Sequence, residues 1–239
     1  MKKALVLAGD GINCQNETAF AAEQAGFYTD IVHINDLIVQ KFSQSDLQKK
    51  YQALFLPGGF SFGDHLTSGK VLALKIKYHL QWNLLDFASN GGLVLGICNG
   101  FQALIRLGVF GADLTITRND HGRFINKWVG LKTQNPECVF LKNISILDLP
   151  IRHGEGRIIF SKPHLEKIAL VYQDDVNGSQ QKAAGLTTAQ GRVLGLMPHP
   201  EAAIRKTQNP TWTQNPELKN NSEIGLELFR NAYAEATCL

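Results

Sequence analysis

The stretch that most constrains this chain is residues 91–108, GGLVLGICNGFQALIRLG. Residues 92–97 form an apolar run rich in Leu, Val and Ile and bounded by glycines, which predicts a buried strand. Residues 101–107 are apolar at helical spacing and run into Gly108, which predicts a helix with a glycine stop. Between them lies Gly96-Ile97-Cys98-Asn99-Gly100, a G-x-C-x-G turn, the cysteine counterpart of the strand-turn-helix nucleophile elbow. Such a turn strains its central residue and points that side chain away from the sheet. Gly96 and Gly100 carry no β-carbon to collide across it. The helix that follows aims free N–H groups and a positive dipole end at Cys98, which favours the thiolate. A plain buried cysteine at a strand end is the competing reading; the flanking glycines, strand and helix favour a nucleophile.

The rest of the first half alternates. Residues 4–8, 30–34 and Ala53–Leu56 read as strands. Residues 16–25 read as a helix begun by the N-cap residue Asn16 and stopped by Gly26. Residues 36–47 read as mixed with a short helix, and residues 66–88 as a long amphipathic helical region that can break in two. This order predicts an α/β fold: a single domain over residues 1–239, with a mostly parallel open sheet flanked by helices. After Gly108 the style changes. Residues 115–122 are polar, and residues 124–133, 138–146, 158–160, Ile168–Tyr172, 184–186 and 192–197 read as strands, the earlier ones forming a smaller antiparallel portion. Residues 206–221 read as a solvated loop in which Thr-Gln-Asn-Pro occurs twice; a third copy stands at 133–136. Ser222 is expected to cap a last helix over residues 223–234.

A chain of 239 residues can bury a sizeable core. Its net charge of +3, with no basic stripe interleaved with aromatics, argues against nucleic acid. Cys14, Cys98, Cys138 and Cys238 fit no zinc spacing, so no metal site is expected, and disulfides are not needed for a core this large. The N-terminal apolar run ends too soon for a signal peptide, and no run is long enough to span a membrane. A cytoplasmic address follows as the expectation.

Three further pieces stand where open α/β sheets place their sites. In Pro57-Gly58-Gly59-Phe60-Ser61-Phe62-Gly63-Asp64, a glycine pair beyond a strand lets backbone N–H groups face a ligand. With the N–H of Asn99, Gly59 is a candidate oxyanion donor, although a plain turn is the simpler reading of this piece alone. In Pro198-His199-Pro200-Glu201, residues before proline are extended, which puts His199 and Glu201 on one side. Glu201 can then orient the imidazole that serves a Cys nucleophile. His33, His65, His79, His121, His153 and His164 fit an ordinary loop histidine better. Pro150-Ile151-Arg152-His153-Gly154-Glu155-Gly156-Arg157 reads as a charged loop that could bind a zwitterion, with a solvated turn as the plainer alternative.

Together GICNGFQ, PGGFSFGD, PIRHGEGR and GLMPHPE resemble the class I (triad-type) glutamine amidotransferases, whose fold is flavodoxin-like. Within them the set resembles the separate glutaminase subunits of phosphoribosylformylglycinamidine synthase, a family of purine biosynthesis. The resemblance implies Cys98 as nucleophile, His199 as base and Glu201 as orienter, with oxyanion N–H groups from Gly59 and Asn99. It implies Gln102 as a contact to substrate glutamine, and Phe60, His153, Glu155 and Arg157 as the border of its pocket. It further implies a synthetase subunit as partner, with room for a small accessory subunit. No cofactor is expected in this chain: ATP and magnesium would belong to the synthetase, and no G-x-x-x-x-G-K-[ST] loop is present here. The sequence departs from the family at Ala202, where Arg is common, at His121, where Ser is common, and at Phe62, where Tyr is usual. A stand-alone cysteine hydrolase on another amide and a non-catalytic glutamine-binding subunit remain as the other classes.

Overall fold

The chain enters a nine-stranded sheet with β1 (Lys3–Ala8), β2 (Tyr28–His33), β3 (Ala53–Leu56) and β4 (Leu93–Ile97), all parallel. The sheet order is β2-β1-β3-β4-β11-β10-β9-β6-β7. The later strands are β5 (Leu114–Arg118), β6 (Ile125–Thr133), β7 (Ile146–His153), β8 (Glu155–Phe160), β9 (Ile168–Tyr172), β10 (Ala183–Thr188) and β11 (Val193–Leu196). β11 returns parallel to β4; β10, β9, β6 and β7 then continue the same sheet in antiparallel order, while β5 and β8 form a separate antiparallel pair. The expected α/β class stands, and its antiparallel portion extends the main sheet. This computed structural model describes residues 1–162, 165–214 and 223–237. Among them no helix is long and apolar enough to cross a membrane, and Cys14, Cys98 and Cys138 are free thiols.

The helices are α1 (Gln15–Gln24), α2 (Ile34–Val39), α3 (Gln44–Lys50), α4 (Lys70–Lys75), α5 (Leu84–Ser89), α6 (Asn99–Arg106) and α7 (Ile224–Glu235). β3, β4 and β11 are buried at every residue, as sheet strands covered on both faces must be. α6 lies on them unusually closely, and glycines explain how. Gly96 and Gly195 pair across β4 and β11. A β-carbon on Gly96 would lie 2.5 Å from Leu104 Cδ1, and one on Gly195 would overlap the Phe101 ring. One on Gly100 would overlap the Leu56 carbonyl oxygen. The approach of the helix is therefore set by these glycines, and at Gly100 by backbone against backbone.

Several local expectations change. α1 starts at Gln15, with Cys14 in the capping position and no side-chain cap bond, so Asn16 does not cap it. The region over residues 66–88 does break: α4 widens into a π-helical turn over Ile76–Leu80, and Gln81, at φ 54°, ends it before α5. Residues 138–146 are not a strand. Cys138, Val139, Phe140 and Leu141 are buried in succession rather than alternately, and Val139–Leu141 make a 3₁₀ turn. Asn231 on α7 holds that turn through the Phe140 and Lys142 carbonyls. The polar stretch 115–122 instead contributes β5, paired with β8. Residues 150–157 are no loop: they end β7 and begin β8, with only Gly154 between. The stretch from 206 is anchored at its start by Asn209, which is buried and donates to Asp148 at 2.7 Å. The remainder of that stretch from 215, including part of the last Thr-Gln-Asn-Pro, lies outside the described residues, as does Ser222 with its expected cap.

Candidate active site

Three neighbouring parallel strands, β3, β4 and β11, each end beside one chemical piece. Beyond β3 comes the Gly58-Gly59 turn, beyond β4 Cys98, and beyond β11 His199 and Glu201. Sheet order thus gathers segments spread from residue 58 to residue 201 at the carboxyl edge, where α/β sheets place their sites.

Cys98 adopts φ 48°, ψ −102°, the strained conformation of an elbow. Its N–H donates to the Leu196 carbonyl at 2.8 Å, and its carbonyl accepts from Gln102 N–H at 2.9 Å, so both neighbouring elements clamp the turn. The thiol, 5% exposed, reaches the Arg152 carbonyl at 3.5 Å. His199 is held by its own N–H to the Pro150 carbonyl at 2.8 Å. Its Nδ1 meets Glu201 Oε1 at 2.6 Å, with both side chains buried. Burial alone would lower the pKa of this imidazole. The carboxylate of Glu201 and the neighbouring Cys98 outweigh that and hold it well above the ordinary histidine value. Cys98 and His199 line one cavity of about 160 Å³ with Cys14, Gly59, Phe60 and Arg152.

The loop beyond β3 is strained and pinned. Gly59 sits at φ 148°, against Ile12, where a β-carbon would approach the Gly11 carbonyl oxygen to 2.7 Å. The Asn99 side chain ties this loop to the elbow: its Oδ1 accepts from Ser61 N–H at 3.1 Å, and its Nδ2 donates to Asp64 Oδ1 at 3.1 Å. Burial raises the Asp64 carboxyl pKa, partly offset by hydrogen bonds from Ser68 and Asn99.

A second cavity, about 250 Å³, shares Cys98, Gly59, Phe60 and Arg152 with the first and is also lined by Gln102, His153 and Glu155. Gln102 is engaged with protein: its Oε1 accepts from Asn99 Nδ2 at 3.0 Å and its Nε2 donates to the Glu155 carbonyl at 2.5 Å. Glu155 accepts from Thr67 Oγ1 and Ser68 N–H. Phe60 is half exposed at the mouth, beside Phe124. Arg157 is absent from the lining of these cavities; its Nε donates to the Gly178 carbonyl at 3.0 Å. His153 is buried at the end of β7, not a loop histidine. Its Nδ1 meets Asn119 Oδ1, and burial pushes its pKa down to about 3, so the ring is neutral. The sequence reading did not name Asp64, Ser68, Arg118 or Arg123 as lining residues, and had Arg152 only as part of the charged segment 150–157. Arg118 ends β5 opposite Glu155 of β8, Arg152 stands on β7 opposite Asn126 of β6, and Arg123 lies just before β6; charge alternation along 150–157 was the available signal for Arg152. Of the three departures, Phe62 lies at φ 54° beneath Lys75, His121 accepts from Arg123 N–H, and Ala202 ends the short turn after Glu201.

Residues 1–234 match the model of the CobB/CobQ-like glutamine amidotransferase domain, and the chain belongs to that family. Among its relatives, the phosphoribosylformylglycinamidine synthase subunit PurQ of Methanococcus maripaludis is 39% identical, with 96% of each chain covered. The PurQ subunit of Dehalococcoides mccartyi is 38% identical over the same share of each. A chain in the structure of PurLQS from Thermotoga maritima superposes with a TM-score of 0.80 at 33% identity, covering 99% of this chain and all of that one. A Thermotoga maritima glutamine amidotransferase at 15% identity and TM-score 0.60 shares the fold.

Proposed function

We propose that this chain is the glutaminase subunit of a phosphoribosylformylglycinamidine synthase. It hydrolyses L-glutamine and delivers ammonia to a synthetase subunit that converts formylglycinamide ribonucleotide to formylglycinamidine ribonucleotide. The observation that carries this reading is the placement of Cys98 and the His199–Glu201 pair at the ends of adjacent parallel strands, beside a cavity of mixed charge. PurQ relatives that match along nearly the full chain favour it over a stand-alone cysteine hydrolase.

Cys98 thiolate attacks the side-chain amide carbon of glutamine, with His199 imidazolium beside it to hold the negative sulfur. The oxygen takes up charge facing the N–H groups of Gly59 and Asn99, the latter in the first turn of α6 where N–H groups have no helical partner. His199 passes its proton to the leaving nitrogen, and ammonia departs from the thioester. Water then gives a proton back to His199 and attacks the thioester, releasing glutamate and restoring Cys98. Glu201 keeps Nδ1 protonated and Nε2 turned to the sulfur. Gln102 and Asn99 position the oxyanion loop, while Asp64 and Glu155, with Arg118, Arg123 and Arg152, give a zwitterion both signs of charge. Phe60 borders the mouth, and His153 supplies a neutral wall. ATP and magnesium belong to the synthetase in this reading, a small accessory subunit completes the assembly, and the reaction takes place in the cytoplasm.

The test is glutamate release from glutamine by the intact chain, alone and with a synthetase subunit, ATP, magnesium and formylglycinamide ribonucleotide. We expect release that rises with the partner and is absent in Cys98→Ala. No glutamate under any of these conditions overturns the reading.

A further inference from the structure

A second thiol stands at the site, and no step above uses it. Cys14, just ahead of α1, is half-buried and lines the smaller cavity with Cys98 and His199. Donor atoms of Cys14, His199 and Glu201 all lie within 4.8 Å of one another. Two of the buried atoms here have no hydrogen-bond partner, His199 Nε2 and Glu201 Oε2, in residues 3% and 2% exposed. Buried polar atoms are nearly always paired; Nε2 is the atom that His199 turns to Cys98, so the unpaired Glu201 Oε2 beside the Cys14 thiol marks the place for a further ligand. Gly58 keeps the space open: a β-carbon there would lie 2.7 Å from His199 Cε1 and 3.4 Å from Cys14 Sγ.

Thiolate sulfur, imidazole nitrogen and carboxylate oxygen together form a donor set suited to zinc and related cations. Around tetrahedral zinc, neighbouring donors sit about 3.5 Å apart, a short contraction from the spacing seen here. The three ligands come from the start of α1 and from the turn after β11, so no sequence spacing announces them.

We propose that Cys14, His199 and Glu201 form a site for a thiophilic divalent cation of the zinc class, and that its occupancy switches the enzyme off. As the metal binds, the Cys14 thiol and the His199 imidazolium each release one proton to solvent, freeing a thiolate and an imidazole nitrogen as ligands. His199 and Glu201 are drawn into the coordination shell, and the imidazole can no longer serve Cys98. The half-buried thiol gives the ion its way in, and a chelator reverses the binding. The binding half of this proposal is independent of the glutaminase reading; the switching half rests on it.

The test titrates the intact chain with Co²⁺, reading the sulfur-to-cobalt charge-transfer absorbance, and then displaces it with Zn²⁺. The expected result is one equivalent bound, with the band kept in Cys98→Ser and lost in Cys14→Ser. In parallel, Zn²⁺ should inhibit glutamate release, reversibly by chelator. Cys14→Ser should keep the basal rate and lose sensitivity by at least the roughly 10- to 100-fold that loss of an outer-shell contact costs at a metal site. The proposal is overturned if Co²⁺ gives no thiolate band, if the band survives Cys14→Ser, if it vanishes in Cys98→Ser, or if Zn²⁺ inhibits both proteins equally. The absorbance measurement stands even if the chain proves inactive on glutamine.

Discussion

The parallel half of the sheet and its antiparallel half meet where β10 pairs with β11, and they hold the site by different means. On the parallel side, Cys98, Gly59 and His199 are placed by backbone contacts: glycine against carbonyl, N–H against carbonyl. On the antiparallel side, the pocket wall is built from side chains standing on β5, β7 and β8, with Arg118, Arg152, His153 and Glu155 sharing it. A backbone-built seat tolerates no added atom, whereas a side-chain-built wall can adjust. In the proposed reaction the reacting atoms sit in the first and the substrate-facing charges in the second.

Paired substitutions can break this contrast. Gly100→Ala should have the largest effect, because its β-carbon would overlap the Leu56 carbonyl oxygen and neither backbone can yield. We expect a loss of about 3 kcal/mol or more in denaturant unfolding, with activity gone. Glu201→Gln should leave the fold intact and cut glutamate release by on the order of 10²- to 10⁴-fold, by removing the charge that sustains the imidazolium. Near-normal turnover in that variant would mean the pair is structural only.

The third substitution probes the wall. His153 binds no proton in the folded chain until its pKa of about 3, whereas an unfolded histidine protonates near 6.5. Its depressed pKa therefore contributes stability above that unfolded value, and the contribution is lost as pH falls toward 3. The His153 share of the slope approaches about 1.4 kcal/mol per pH unit within that window. Electrostatic repulsion, chiefly from His199, reinforces the depression. His153→Gln should flatten the slope between pH 6 and 4 relative to the parent; equal slopes would show that the ring is protonated in place. Gly130→Ala on β6 should do least. Its β-carbon meets only the movable end of Gln173, so unfolding should shift by less than about 1 kcal/mol.

The same contrast explains what was legible in the sequence. The parallel half writes its geometry in residue types that have few other uses. Glycines flank Cys98, a glycine pair follows β3, and prolines flank His199, so both the strands and the placement of Cys98, Gly59, His199 and Glu201 could be read in order. The antiparallel half writes its geometry in register, which a single chain does not display. Along β8, Glu155, Arg157 and Ile159 alternate with buried Gly156, Ile158 and Phe160, yet charges and glycines made the segment resemble a loop. Thr115 to Arg118 looked too polar for a strand until paired with β8. Cys138 to Leu141 erred the other way: continuous burial under α7 mimicked a strand. Cys14 was weighed only by its spacing to the other cysteines, because the sequence does not show that the return of β11 beside β4 brings His199 to it.

The glycine contacts beneath α6 also bear on how such a chain can change over evolutionary time. Side chains that fill space can be exchanged one for another in small compensated steps. Positions where a single carbon would strike a carbonyl have no such neighbouring solutions. Drift toward a new amide substrate is therefore open to the wall at β5, β7 and β8 and closed to the nucleophile's seat, so lineages that diverge in what they bind would be expected to keep the same elbow.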